Sequence, residues 1–203
     1  MLHSIHSPSQ EQAPGNPTLI MLHGRGADEH DLFGIKKYLD PRLTVYSLRA
    51  PYEFDWGGYA WFQLFDDGTV DDESFLQSRN EILSFISTVQ TNQLFLLGFS
   101  MGAIMSYTIA LTQPKLCTGI LALSGFAPLQ IQHEYKLREL DGLSIFISHG
   151  TNDPVIPISS ARKTKELLDT TNAHVTYKEY PFAHQIGEQC LADMRTWFAP
   201  LLR

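Results

Sequence analysis

Short apolar runs recur along the chain, spaced so that a helix fits between them. "TLIML" (18–22), "LFLLGF" (94–99), "GILALS" (119–124) and "LSIFIS" (143–148) are continuous, the pattern of strands buried on both faces. "LTVYSLR" (43–49) and "HVTYKEY" (174–180) carry β-branched and aromatic residues and read as further strands. Leu2–His6 reads as an edge strand, joined to the body by the linker-like "SPSQEQAPGNP" (7–17). Between the runs the spacing turns helical. A helical stretch is expected after residue 22 through about Leu39, and Leu76, Ile82, Leu83, Ile86 and Val89 mark a helix from about Asp72 to Gln90. Another starts near Met101 and stops before Pro114, and two more lie at about 159–169 and 187–198. This alternation predicts one α/β domain over residues 1–203, with a mainly parallel central sheet and helices on both faces.

In such a fold, ligands meet the carboxyl ends of the strands. Three reactive residues fall there. Ser100 follows 94–99 in "GFSMG", Asp153 follows 143–148 in "SHGTNDPVIP", and His184 follows 174–180 in "YPFAHQIG". A serine hydroxyl is a poor nucleophile until a base takes its proton. His184 is placed to do that, and Asp153 to fix the imidazole tautomer and stabilise the imidazolium. Taken singly, each has a plainer reading: a small-residue turn, an Asp–Pro turn, a loop histidine. Their order of Ser, Asp, His after successive strands is the order a G-x-S-x-G hydrolase requires.

"LHGRGA" (22–27) supplies a glycine turn after an upstream strand, where a second oxyanion donor belongs; the first is the N–H of Met101. His23 and His149 read as structural. Tyr52, Phe54, Trp56, Tyr59, Trp61, Phe62 and Phe65 crowd residues 50–67, either lining an apolar cleft or anchoring a loop. Residues 126–140 are too few for a large cap and form either a small lid or a connection.

Composition narrows the class. The 203 residues carry a net charge of −7 with 15 scattered basic residues, which disfavours nucleic-acid binding. No run approaches the roughly 20 apolar residues of a membrane span, and the N-terminus lacks the basic start and apolar core of a signal peptide. Cys117 and Cys190 have no CxxC spacing and fit two free thiols in a cytoplasmic protein better than a disulfide. No His/Cys cluster has metal-ligand spacing, so neither a metal nor another cofactor is expected. A homodimer suits a domain of this size, although nothing in the residues argues for one.

"LHGRGADEHDL", "GFSMGA", "LSGF", "SHGTNDPVIP" and "FAHQI" together resemble the phospholipase/carboxylesterase family of α/β-hydrolases, from about Thr18 to Phe198. The resemblance implies an α/β-hydrolase fold without a large cap, with Ser100 as nucleophile, Asp153 as acid and His184 as base. It places the oxyanion donors at the backbone N–H groups of Arg25 and Met101. "WFQLF" (61–65) matches an element beside the family's substrate pocket, which makes Trp61 and Phe62 the expected substrate contacts. Thioesterase members carry Gln-Gly-Gly after the nucleophile, where this chain has Met101-Gly102-Ala103. The implied activity is a serine carboxylesterase acting on small to medium esters. The alternatives are an acyl-protein thioesterase or lysophospholipase with a longer acyl channel, and a hydrolase-fold protein that binds a ligand without turnover.

Overall fold

Even- and odd-numbered positions of the central strands part to opposite faces, as the two-residue period of a strand demands. Ile20, Leu22, Leu96, Ile120, Ala122, Ile145 and Ile147 enter one hydrophobic core. Leu19, Met21, Phe95, Leu97, Leu121, Leu123 and Phe146 enter the other. A computed structural model describes residues 2–11 and 15–202 of the chain, so residues 12–14 of the expected linker lie outside the described residues.

The strands are β1 (Ser4–Ser7), β2 (Thr18–Leu22), β3 (Thr44–Leu48), β4 (Tyr52–Glu53), β5 (Tyr59–Ala60), β6 (Leu94–Phe99), β7 (Gly119–Leu123), β8 (Ser144–Gly150) and β9 (His174–Tyr180). Seven of them form one sheet in the order β1-β3-β2-β6-β7-β8-β9. Only β1 runs antiparallel, with Ser4 opposite Leu48; every other neighbour pair is parallel. β4 and β5 form a separate hairpin. This is the α/β-hydrolase fold, and no large cap domain is present among the described residues.

Helices α1 (Asp72–Ile86), α2 (Met101–Thr112) and α3 (Ile158–Leu168) pack on the first core, and α4 (Glu188–Phe198) seals the second with Cys190, Met194 and Phe198. α1 starts where the Asp71 side chain accepts the Ser74 N–H at 3.2 Å. It stops at Ile86, short of the expected Gln90, and the Ser87 and Thr88 hydroxyls turn back onto the Ser84 and Phe85 carbonyls. α2 is buried on every side, which explains its lack of a polar face. No helix among the described residues is long and apolar enough to cross a membrane.

The helical stretch expected up to Leu39 is corrected to a single 3-10 segment, Phe33–Tyr38. Gly26 adopts φ +81°, and Asp28 caps the His30 N–H at 2.8 Å, so the chain turns through this region instead of coiling. Residues 126–140 form two 3-10 turns laid against α1 and α2. Ile131 is buried, the Lys136 N–H donates to the Leu111 carbonyl at 2.8 Å, and Arg79 pairs with Glu134 at 2.6 Å. They are a connection, not a lid. Cys117 and Cys190 are buried and unbridged.

Candidate active site

The chain leaves β2 toward β3 on one side and leaves β6 toward β7 on the other, so the strand order reverses between β2 and β6. That switch point opens a crevice at the carboxyl ends of the strands. The turns after β2 and β6 carry "HGRG" and Ser100.

Ser100 has φ 54° and ψ −117°, a left-handed conformation that a residue with a side chain adopts at a cost of roughly 1–3 kcal/mol. Its surroundings enforce it. The Ser100 N–H donates to the Leu123 carbonyl at 2.9 Å, while its own carbonyl accepts the Ala103 N–H at 3.0 Å. A Cβ at Gly98 would meet the Gly102 carbonyl, and one at Gly102 would meet the Leu22 carbonyl. The two glycines therefore let α2 begin directly against β2. A support missed in the sequence is the Ser124–Gly125 turn after β7. Ser124 has φ 52°, and a Cβ on Gly125 would lie 3.0 Å from the Ser100 carbonyl. Its signal was the run of small residues in "LSGF".

The turn after β2 is held through His23, which is fully buried. Its Nδ1 lies 2.7 Å from the Gly24 carbonyl and its Nε2 accepts the Ala50 N–H at 3.1 Å, so the proton sits on Nδ1. Burial pushes the His23 pKa below the usual histidine value; the Gly24 contact and nearby Asp31, Asp28 and Glu29 oppose this without reversing it. Further along, the buried Glu29 carboxylate takes both arms of the Arg49 guanidinium at 2.6 Å. Arg49 also reaches the Tyr59 hydroxyl at 3.1 Å, and Tyr59 clasps the turn through Gly26 N–H (2.9 Å) and Ala27 C=O (2.8 Å). The N–H groups of Arg25 and Met101 donate to nothing among the described residues.

Asp153 and His184 arrive on the loops after β8 and β9. Those loops are zipped by Thr151 N–H to the Tyr180 carbonyl at 2.7 Å and Asn152 N–H to the Phe182 carbonyl at 3.2 Å. His184 Nδ1 lies 2.7 Å from Asp153 Oδ2, with the carboxylate fully buried and the imidazole 17% exposed. Asp153 Oδ1 accepts the N–H groups of Val155 (2.8 Å) and Ile156 (2.9 Å). Burial would raise the Asp153 pKa, but the His184 bond and these two N–H groups outweigh it and hold the carboxyl below its ordinary value. The His184 ring sits on Phe99, the residue before Ser100, at a centroid distance of 4.8 Å. No hydrogen bond closes between Ser100 Oγ and His184 among the described residues. Such contacts commonly tighten only when substrate enters.

Phe62 lines a hollow of about 230 Å³ together with Arg25, Tyr52, Phe54, Ala60 and Leu64. Trp61 is placed differently from the expectation that it contacts substrate. It is 0% exposed, its indole N–H donates to the His23 carbonyl at 2.9 Å, and its backbone N–H meets Met101 Sδ at 3.2 Å. Both residues follow β5 and belong to the same core, and only Phe62 also reaches the wall of the hollow. Larger hollows of about 570 and 780 Å³ lie elsewhere. One sits beside the end of α2, and the other is lined by Gln93, Thr118 and Ser144 at the amino ends of the strands.

Comparison with known proteins places this architecture. A family model described as Phospholipase/Carboxylesterase matches residues 3–201. Acyl-protein thioesterase 1 of Kluyveromyces lactis is 32% identical over 195 residues, covering 83% of this chain and 82% of the relative. Among solved structures, the Bacillus cereus carboxylesterase superposes with a TM-score of 0.87 at 23% identity, covering 100% of this chain and 95% of that one. A carboxylesterase from Mesorhizobium loti gives 0.80 at 24% identity, over 90% and 88% of the two chains.

Proposed function

Because the chain belongs to the phospholipase/carboxylesterase family of hydrolases, we propose that it is a serine carboxylesterase using Ser100, His184 and Asp153 on small to medium esters. The observation that carries this reading is the 2.7 Å contact of His184 Nδ1 with the buried Asp153 carboxylate, formed next to a serine in a strained turn. Ser100 Oγ attacks the ester carbonyl while His184 Nε2 takes its proton. The N–H groups of Arg25 and Met101 receive the oxyanion, each worth about 3 kcal/mol in comparable sites. His184 returns the proton to the departing alcohol, and water activated by the same imidazole releases the acid from Ser100. Residues 1–203 act as one domain in this reading, built on a single large sheet.

The size preference rests on the hollow beside Arg25. About 230 Å³ has room for a short acyl or alcohol group, with Phe54 and Phe62 as apolar walls and Arg25, Glu53 and Asp55 as charged ones. Several relatives are named acyl-protein thioesterases, which keeps a thioester or lysophospholipid substrate as the second reading. A p-nitrophenyl ester series from acetate to palmitate, run beside palmitoyl-CoA and lysophosphatidylcholine, separates the two. The expected result is highest kcat/KM at short to medium chains and loss of turnover by at least about a thousandfold in Ser100→Ala. Preference for the palmitoyl substrates would select the second reading, and unchanged turnover in Ser100→Ala would overturn both.

A further inference from the structure

A second imidazole lies beside the carboxylate of Asp153. His149, fully buried in β8, places its Nε2 at 2.8 Å from the Ile156 carbonyl and 3.4 Å from Asp153 Oδ2. A carbonyl can only accept, so Nε2 carries the proton and donates it to Ile156, while Asp153 Oδ2 lies near the same N–H without a hydrogen bond from it. Nδ1 is buried and has no partner among the described residues. Buried polar atoms are normally paired, so a ring kept only for packing would have both nitrogens satisfied. Here every polar contact of the ring falls on the turn that carries Asp153.

Those contacts surround the carboxylate. Oδ1 accepts from Val155 and Ile156, Oδ2 accepts from His184, and the His149 N–H lies 3.4 Å from Oδ2 as a neighbouring dipole. The turn 153–156 is thus closed twice, once by Asp153 on the Ile156 N–H and once by His149 on the Ile156 carbonyl. Because His149 belongs to a strand, opposite Glu179 of β9, its position is set by the sheet and not by the loop it holds. The other charged groups near the ring are Glu179, engaged by Arg162 of α3 at 2.8 Å through both carboxylate oxygens, and the Asp153–His184 pair. On the far side of β8, Ser148 meets the Cys190 thiol of α4 at 3.4 Å.

We propose that His149 is a positioning residue for the acid of the triad, its Nε2–H bracing the 153–156 turn through the Ile156 carbonyl and so keeping Oδ2 on His184. The proposal rests on the triad reading above. It predicts two effects of removing the donor. The turn loosens, so the base is misaimed. The carboxylate, without the N–H dipole beside Oδ2, also holds a protonated His184 more tightly, which moves the acid limb of the rate profile to higher pH.

The test measures kcat, KM and the pH profile of kcat/KM on a short p-nitrophenyl ester for the full chain and for His149→Gln, His149→Asn and His149→Phe. Labelling of Ser100 by a fluorophosphonate is followed in parallel. The side-chain amide of glutamine reaches the Nε2 position, whereas that of asparagine reaches only Nδ1. His149→Phe should lose roughly tenfold or more in kcat with KM nearly unchanged, and its acid limb should move upward. His149→Gln should recover most of kcat and return the limb, and His149→Asn should not. If His149→Phe does not fold, the Gln–Asn difference decides the question. Equal activity in Gln and Asn, or an unmoved limb in both Phe and Asn, overturns the role of His149 while Ser100 labelling of the parent leaves the triad standing. Failure of the parent to label at Ser100 overturns the triad and this inference together.

Discussion

Met101, the residue after Ser100, offers two different groups. Its N–H has no acceptor among the described residues, while its thioether accepts the Trp61 N–H at 3.2 Å. Replacing Met101 with leucine keeps the backbone donor but removes the acceptor, and leaves the N–H of a fully buried residue unpaired. An unpaired buried donor costs about 1–3 kcal/mol. Met101→Leu should therefore lower the melting temperature and raise KM through a shifted Phe62, with kcat changed less. Steady-state kinetics beside thermal melts measure both. A large fall in kcat with KM and melting temperature intact would show that the thioether acts on the chemistry instead. The motif "GFSMG" revealed Ser100 readily, because the glycines and the apolar run before them are local signals. The partnership of Met101 with Trp61 joins residues 40 positions apart, and no spacing rule reports it.

At the scale of elements, the turn after β2 depends on a strut running from Glu29 through Arg49 to Tyr59. The Arg49 pairing, with help from other groups, lowers the Glu29 pKa from 4.5 to about 2, against the opposing effect of burial. A carboxylate whose folded value is depressed contributes stability that is complete above its unfolded value and lost as pH falls through the folded one. The contribution of Glu29 should thus fade between about pH 4.5 and pH 2. Glu29→Gln should unfold at lower urea than the parent at neutral pH, with the gap narrowing as the pH is lowered through that window. A gap independent of pH would remove the ion pair from the account. Unlike the short β4–β5 hairpin, the seven strands of the main sheet and α2, α3 and α4 were legible because continuous apolar runs and the helical period are strong local patterns. The segment after β2 was not. Its apolar residues mimic a helical period, while Gly26 and the Asp28 cap set a turn, and the Glu29–Arg49 pair that holds it spans 20 positions.

Across the whole molecule, the proposed triad is spread over the sheet unevenly. Ser100 follows the central β6, flanked by β2 and β7, whereas His184 follows β9, the outermost strand. β9 is bonded on one side only, and His174, Lys178 and Glu179 along it are exposed. Edges of a sheet open more readily than its middle. The chain should therefore lose activity before it loses its secondary structure: in a urea titration, turnover of a short ester should fall at lower denaturant than far-ultraviolet circular dichroism. Coincident curves would mean that β9 and the central strands open as one unit. Should the curves separate, the working limit of this hydrolase in heat or denaturant is the grip of its last strand, and engineering for endurance belongs at that edge instead of at the well-packed serine.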